Sequence, residues 1–297
     1  MKFAAIDIGS NAVRLLVEEI FETETGFHTQ KVSFTRIPLR LGTDVFENGE
    51  ISKLKTAQLI KVMKAFWHLM DFHNIKNYRA CATSAMREAK NRKDVIQQVK
   101  KETKIEIEII AGQEEANLIF GNFLLQDIDH SKNYLYIDVG GGSTELTVIK
   151  KGERIKAKSF EIGTVRMLQN KVKEQEWTVL NKWVQDLRKD EANLVGIATG
   201  GNINRIFKMS RHTFNEPLTF NELLDIRNFI QGFSLEDRME KLGLKSDRAD
   251  VIEPAAEIYL RILENANIQE MIVPRVGLSD GIILQLYQNW KMERLSI

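Results

Sequence analysis

The amino-acid sequence predicts an α/β protein of two domains, each a mixed sheet flanked by helices. Apolar runs of strand length alternate with amphipathic stretches of helical period, a pattern that packs helices on sheets. A strand, a tight glycine-containing turn and a second strand open each half, at Phe3–Val17 and again at Tyr134–Ile149, which reads as an internal duplication. The 297 residues leave room for two domains of ordinary size. Because each half begins with antiparallel hairpins, its sheet is expected to be mixed.

In order, Phe3–Ile6 and Val13–Val17 are strands around the first turn, and residues 27–37 are a third. Ser52 caps a long helix to about Phe72, with Leu54, Ala57, Ile60, Met63 and Trp67 at helical spacing. Tyr78–Ala82 is a short strand, 92–102 a helix and Ile105–Ile110 a strand. Gly112 then opens a helix with Glu114, Glu115, Leu118, Ile119 and Phe120. After polar Gln126–Lys132 the pattern restarts, with strands at 133–138, 144–150 and 153–160 and a helix opened by Gly163-Thr164. A helix over 175–189 precedes the strand Leu194–Ala198, which ends in Thr199-Gly200-Gly201-Asn202. Val251–Leu263 is the most regular helix, Met271–Val273 a late strand and Gly281–Trp290 a final helix. Domains are expected at 1–125 and 126–297, with the last helix, 284–297, packing back on the first.

Composition excludes several classes. Hydrophobic residues at 43% can build full cores, and charged residues at 28% give an ordinary soluble surface. A net charge of +1 provides no global field for a nucleic acid polymer. The single cysteine, Cys81, excludes an intrachain disulfide and a Cys-rich zinc site, and its apolar surroundings predict a buried thiol. No apolar run of membrane length exists, and Asp7 interrupts any signal-peptide core, so a cytoplasmic protein is expected.

The two turns carry the chemistry. Asp7-Ile8-Gly9-Ser10-Asn11 and Asp138-Val139-Gly140-Gly141-Gly142-Ser143-Thr144-Glu145 each start with an acid. Glycine lets backbone N–H groups approach an anion without a Cβ in the way. Ser10, Asn11, Ser143 and Thr144 add side-chain donors, and the acids can hold a metal or a water. Neither turn is a Walker loop, since no Gly-Lys-Ser/Thr follows, and neither is a dinucleotide fingerprint, since a strand rather than a helix comes next. Facing phosphate-binding hairpins, one per domain, point to phosphate chemistry in a cleft.

These residues resemble the actin, sugar-kinase and heat-shock ATPase superfamily, whose ribonuclease H-like domains place two phosphate loops around a cleft. More closely, the chain resembles the exopolyphosphatase and guanosine pentaphosphate phosphohydrolase family, in its short two-domain form. The resemblance rests on DIGSNAVRLL (7–16), ATSAMR (82–87), IAGQEEANLIF (110–120), IDVGGGSTEL (137–146) and ATGGN (198–202). Arg248-Ala249-Asp250 with Pro254, and Gly277 to Gly281, extend it. It implies Glu115 as the residue that activates water, Arg87 as the clamp on the terminal phosphate, and Asp138 with Glu145 as acids holding Mg²⁺. Asp138 thereby counts among the catalytic residues with Glu115 and Arg87, and Asp7 is its pseudo-symmetric partner. Phosphate contacts are implied at Gly9, Ser10 and Asn11, at Gly140, Gly141, Gly142 and Ser143, and at Thr199, Gly200 and Gly201. Arg14 receives no assignment.

The implied reaction is metal-dependent release of orthophosphate from inorganic polyphosphate, with guanosine pentaphosphate (pppGpp) 5′-phosphohydrolysis as the alternative. A nucleotide-binding kinase or ATPase and a non-catalytic sensor of polyphosphate or alarmone are the readings from other classes. A homodimer is expected by likeness, with Val251–Leu263 and the helix of Trp290 able to serve either as interface or as core. Hinges are expected at Gln126–Lys132 and near Asp280-Gly281. Lys150, Lys151, Arg154, Lys156 and Lys158, or Lys90, Arg92 and Lys93, could line a path for a polyanion. Two positions depart from the family pattern: Ala12 replaces a serine and Ser279 an arginine, which bears on substrate grip and so on substrate identity, without touching the base or the metal acids.

Overall fold

The computed structural model describes residues 1–123, 129, 131–190, 193–213 and 216–295. Residues 126–128 and 130 of the expected linker and hinge, Gln126–Lys132, lie outside the described residues. The chain forms two compact units, Met1–Leu125 with Gly277–Ile297, and Gln126–Val276.

Unit 1 runs β1 (Lys2–Ile8), β2 (Val13–Thr23), β3 (Gly26–Ile37), α1 (Leu41–Asn48), α2 (Lys53–Phe72), β4 (Asn77–Ala82), α3 (Ser84–Glu88), α4 (Arg92–Thr103), β5 (Ile107–Ile109) and α5 (Gly112–Phe123). Its sheet order is β3-β2-β1-β4-β5. The β1–β2 and β2–β3 pairs are antiparallel, while β4 is parallel to both β1 and β5. Phe3 to Ile8 are all buried, as befits a central strand covered on both faces. The Ser52 hydroxyl caps α2 by accepting from the Lys55 N–H at 3.2 Å. The buried stripe of α2 is Thr56, Leu59, Met63, Phe66 and Met70, whereas Leu54 and Trp67 of the expected stripe are exposed.

Unit 2 runs β6 (Asn133–Val139), β7 (Thr144–Lys150), β8 (Glu153–Phe160), α6 (Thr164–Leu168), α7 (Glu174–Asp190), β9 (Val195–Thr199), α8 (Gly201–Met209), β10 (Leu218–Thr219), α9 (Phe220–Gln231), α10 (Leu235–Glu240), α11 (Ser246–Ala249), α12 (Ile252–Ala266) and β11 (Glu270–Ile272). Its sheet order is β10-β11-β9-β6-β7-β8. Strands β6, β9 and β11 are parallel and the outer pairs antiparallel, so this sheet too is mixed. A Cβ on Gly196 of β9 would sit 2.7 Å from the Met271 Cβ, which explains a glycine inside a central strand. Helix α12 is core: Ala256, Ile258, Tyr259, Ile262 and Leu263 are fully buried in the apolar cluster of unit 2.

The last helix, α13 (Leu278–Leu295), belongs to unit 1. Phe3 meets its Tyr287 and Trp290 edge-on at 6.2 and 6.4 Å between ring centroids. It also crosses α5 at backbone contact, for a Cβ on Gly281 would lie 2.1 Å from the Leu118 carbonyl oxygen. The Asn122 amide fastens the crossing by donating to the Gly277 carbonyl at 2.8 Å. Among the described residues no helix is long and apolar enough to cross a membrane.

Candidate active site

In unit 1 the functional candidates gather past the carboxyl ends of the parallel strands β1, β4 and β5, where open α/β sheets bind ligands. The first turn closes when the Gly9 N–H donates to the Ala12 carbonyl at 3.1 Å. The Ser10 hydroxyl lies 2.7 Å from that of Ser84 and accepts from the Ala85 N–H at 3.2 Å, which docks the turn on the start of α3. Helix α1, which sequence patterning did not separate from its surroundings, braces the other side. There the Gly42 N–H donates to the Ser10 carbonyl at 2.8 Å and the Arg40 N–H to that of Asn11 at 2.9 Å. A Cβ on Gly42 would stand 3.0 Å from the Ser10 Cβ, so the approach needs glycine.

Helix α3 presents Arg87 and α5 presents Glu115. The Arg87 guanidinium donates to the Ile110 carbonyl at 2.7 Å and stands 3.9 Å from the Glu115 carboxylate, which is buried. Glu114 faces elsewhere. It accepts from Arg79 at 2.6 Å, and Arg79 also pairs with Glu108 at 2.7 Å. Partial burial works against the Arg79 charge, but hydrogen bonds to Glu108 and Glu114 outweigh it and raise its pKa above the usual value. Successive helix positions point about 100° apart, and the fold sends one glutamate to the sheet's arginine and the other to the arginine of α3.

The two hairpins differ at one register position. In unit 1 Asp7 lies opposite Arg14, and the two form an ion pair at 2.5 Å. In unit 2 the equivalent Asp138 lies opposite Glu145. Directly opposite residues of an antiparallel pair project from the same face, so the second hairpin brings two carboxylates together where the first is internally neutralised. The Glu145 carboxylate accepts from Ser159 at 2.8 Å and that of Asp138 from Thr199 at 3.1 Å. Two oxygen-donor acids beside a glycine turn suit Mg²⁺, which takes one or two carboxylates and completes its shell with water and phosphate oxygens. Among the described residues no group of three or more His, Cys, Asp and Glu gathers into an all-protein cage.

The second turn is held by its carbonyls. Gly140 O accepts from Thr164 N at 3.1 Å, Gly141 O from Val165 N at 2.8 Å and Arg166 N at 3.2 Å, and Ser143 O from Gly140 N at 2.9 Å. Gly142 O accepts from the Nε–H of buried Arg166 at 2.9 Å. A Cβ on Gly163 would fall 2.5 Å from the Gly141 and Gly142 backbone, so α6 can come this close only through glycine. Among the described residues the N–H groups of Gly141, Gly142 and Ser143 donate to no protein acceptor.

The third turn adjoins Asp138. Gly200 has φ +112°, which disfavours other residues, and a Cβ there would meet the Asp138 carboxylate at 3.2 Å. Buried Tyr259 donates to the Thr199 carbonyl at 2.6 Å. Burial, followed by the nearby Asp138 charge, raises its phenol well above the usual pKa and keeps it a donor. Arg248 donates to the Gly201 carbonyl.

The structure therefore brings Gly9, Ser10 and Asn11 together with Arg87 and Glu115 in unit 1. In unit 2 it groups Asp138, Glu145, Gly140 to Ser143 and Thr199 to Gly201. Arg166 and Gly42 went unnoticed in the sequence because they act on backbone carbonyls, which no motif displays. Arg14 could have been found by counting back across the tight turn from Asp7.

Compared with known proteins, residues 20–289 match the Ppx/GppA phosphatase family. The chain is 30% identical to a bifunctional 3-dehydroquinate synthase/phosphatase of Fusobacterium nucleatum, covering 96% of this chain but only 46% of that protein. It thus spans about half the length of that relative. It is 26% identical to exopolyphosphatase 1 of Mycobacterium tuberculosis, over 96% of this chain and 88% of the relative. The solved exopolyphosphatase of Cytophaga hutchinsonii shares the fold, with a TM-score of 0.85 at 22% identity over 97% of this chain and 98% of that one. With the family match covering most of its length, the chain belongs to the Ppx/GppA phosphatase family.

Proposed function

We propose that the protein is a cytoplasmic exopolyphosphatase that removes terminal orthophosphate from inorganic polyphosphate with Mg²⁺. The observation that carries this reading is buried Glu115 beside Arg87, whose helix docks on the first glycine turn through Ser84 and Ala85, with the neighbouring Glu114 tied up elsewhere. In the proposed reaction water attacks the terminal phosphorus, the bridging P–O bond breaks, and the chain leaves one phosphate shorter. Glu115 orients the water and takes its proton. Arg87 offers its planar fork to the terminal phosphate, where charge spreads over the equatorial oxygens. Ser10 and the backbone of the first turn, the N–H groups of the second turn, and the Thr199–Gly201 turn hold further phosphate oxygens. Asp138 and Glu145 would hold Mg²⁺, which when bound neutralises developing phosphate charge.

The test is orthophosphate release by the purified protein with Mg²⁺, comparing long-chain polyphosphate, guanosine pentaphosphate and ATP, with Glu115→Gln as control. Polyphosphate turnover abolished by the substitution is the expected result. Turnover of guanosine pentaphosphate alone would move the same site to alarmone hydrolysis. Turnover of ATP alone would favour the kinase or ATPase reading, and no turnover at all would leave a sensor.

A further inference from the structure

Each trans peptide points its carbonyl and its N–H in opposite directions. Fixing the carbonyl of one residue therefore aims the N–H of the next. In the second turn the Gly140, Gly141 and Gly142 carbonyls are all drawn to one side, by Thr164, Val165 and Arg166. Their partner N–H groups, those of Gly141, Gly142 and Ser143, are the ones with no protein acceptor among the described residues. The first two peptides are held by backbone donors of α6, which any sequence could supply once Gly163 permits the approach. The Gly142–Ser143 peptide is different, because it is held by a side chain, the Nε–H of Arg166 at 2.9 Å.

We infer that Arg166 is a positioning residue: from behind the turn it aims the Ser143 N–H at a phosphoryl oxygen of the substrate. This rests on the proposed phosphate role of the turn. Arg166 is buried, and its bond to Gly142 faces away from the three N–H groups, so it acts through the peptide. A flexible glycine turn left without this hold would still bind phosphate, but with one donor misdirected in the transition state, where its alignment matters most.

Side-chain length supplies a clean test. Glutamine carries an N–H at the same number of bonds from Cα as the arginine Nε, whereas methionine places a methyl group there. Both remove the charge. With long-chain polyphosphate as substrate, Arg166→Met is expected to lower kcat about 10- to 100-fold with KM changed less than about threefold. Arg166→Gln is expected to stay within about threefold of wild type in kcat, given that deleting a whole oxyanion donor costs roughly 10²- to 10³-fold. Equal losses in the two variants, or wild-type turnover in Arg166→Met, would overturn the inference.

A second measurement needs no variant. Inorganic phosphate titrated into the ¹⁵N-labelled wild-type protein should shift the amide resonances of Gly141, Gly142 and Ser143 together. An unmoved Ser143 amide would overturn the inference even in an active enzyme. A protein that shifts all three amides yet hydrolyses no polyphosphate would instead overturn the exopolyphosphatase reading and leave the aimed peptide standing.

Discussion

Glu114 and Glu115 are adjacent in sequence and separate in consequence. Glu114→Gln releases one arm of an Arg79 network that is partly exposed, so it should cost less than about 1 kcal/mol and leave turnover unchanged. Glu115→Gln should keep the fold and lower polyphosphate turnover by about 10²- to 10⁴-fold, as steady-state kinetics would show. Glu18 of β2 supplies a test at the same scale. Burial, then the Asp280 charge, pushes its carboxyl up to about 7, against the pull of Lys31. A folded-state pKa above the unfolded one means stability that is present at low pH and lost as pH rises toward and through 7. Denaturant unfolding at pH 5 and pH 8 should therefore show wild type losing up to about 3 kcal/mol that Glu18→Gln does not lose. Equal pH dependence in the two proteins would remove Glu18 as the cause. Asp138 and Glu145 enter through the family resemblance, and their placement opposite one another is a finding of the strand register. The apolar run around Cys81 predicts a buried thiol; the thiol is buried, and burial pushes its pKa up to about 12. Arg166 was not legible, because the sequence does not show which carbonyl a side chain will meet.

Most strands and helices follow from apolar period and caps, and the mixed sheets follow from the paired hairpins. Where a helix carries two apolar stripes, period alone does not choose between them. Helix α2 offers Leu54, Ala57, Ile60 and Trp67 on one line and Leu59, Phe66 and Met70 on another, with Met63 read into the first and buried with the second. The fold buries the second because β2 and α4 lie on that side. Helix α1 escaped because its N-terminal flank, Arg40, is left-handed at φ 53° and carries no Ser, Thr, Asp or Asn signal. The crossing of α5 and α13 depends on the missing Cβ of Gly281. Gly281→Ala should force the helices apart and cost about 1–3 kcal/mol or more, seen as a lower midpoint in chemical denaturation. Gly26→Ala, at a strand end with nothing within 4 Å of the added carbon, is the control and should be nearly neutral.

At the scale of the whole molecule, metal and assembly are open to direct tests. Chelation with EDTA should abolish phosphate release and Mg²⁺ should restore it, since two carboxylates alone leave the phosphate charge unmet. The apolar residues of α12, offered by the sequence as interface or core, are core, and Tyr287 and Trp290 of α13 pack against Phe3. A homodimer, measured by sedimentation, would therefore have to use other surfaces. The split composition of unit 1 has a consequence for how the protein is made. Residues 126–276 form one contiguous unit and can close as soon as they leave the ribosome, whereas unit 1 must wait for residues 277–297. Until Tyr287 and Trp290 emerge, β1 lacks its aromatic cover, and until Gly281 emerges the helix bearing Glu115 lacks the helix that crosses it at backbone contact. A segment made after all of unit 2 thus completes unit 1, and until it arrives Glu115 sits on a helix not yet seated.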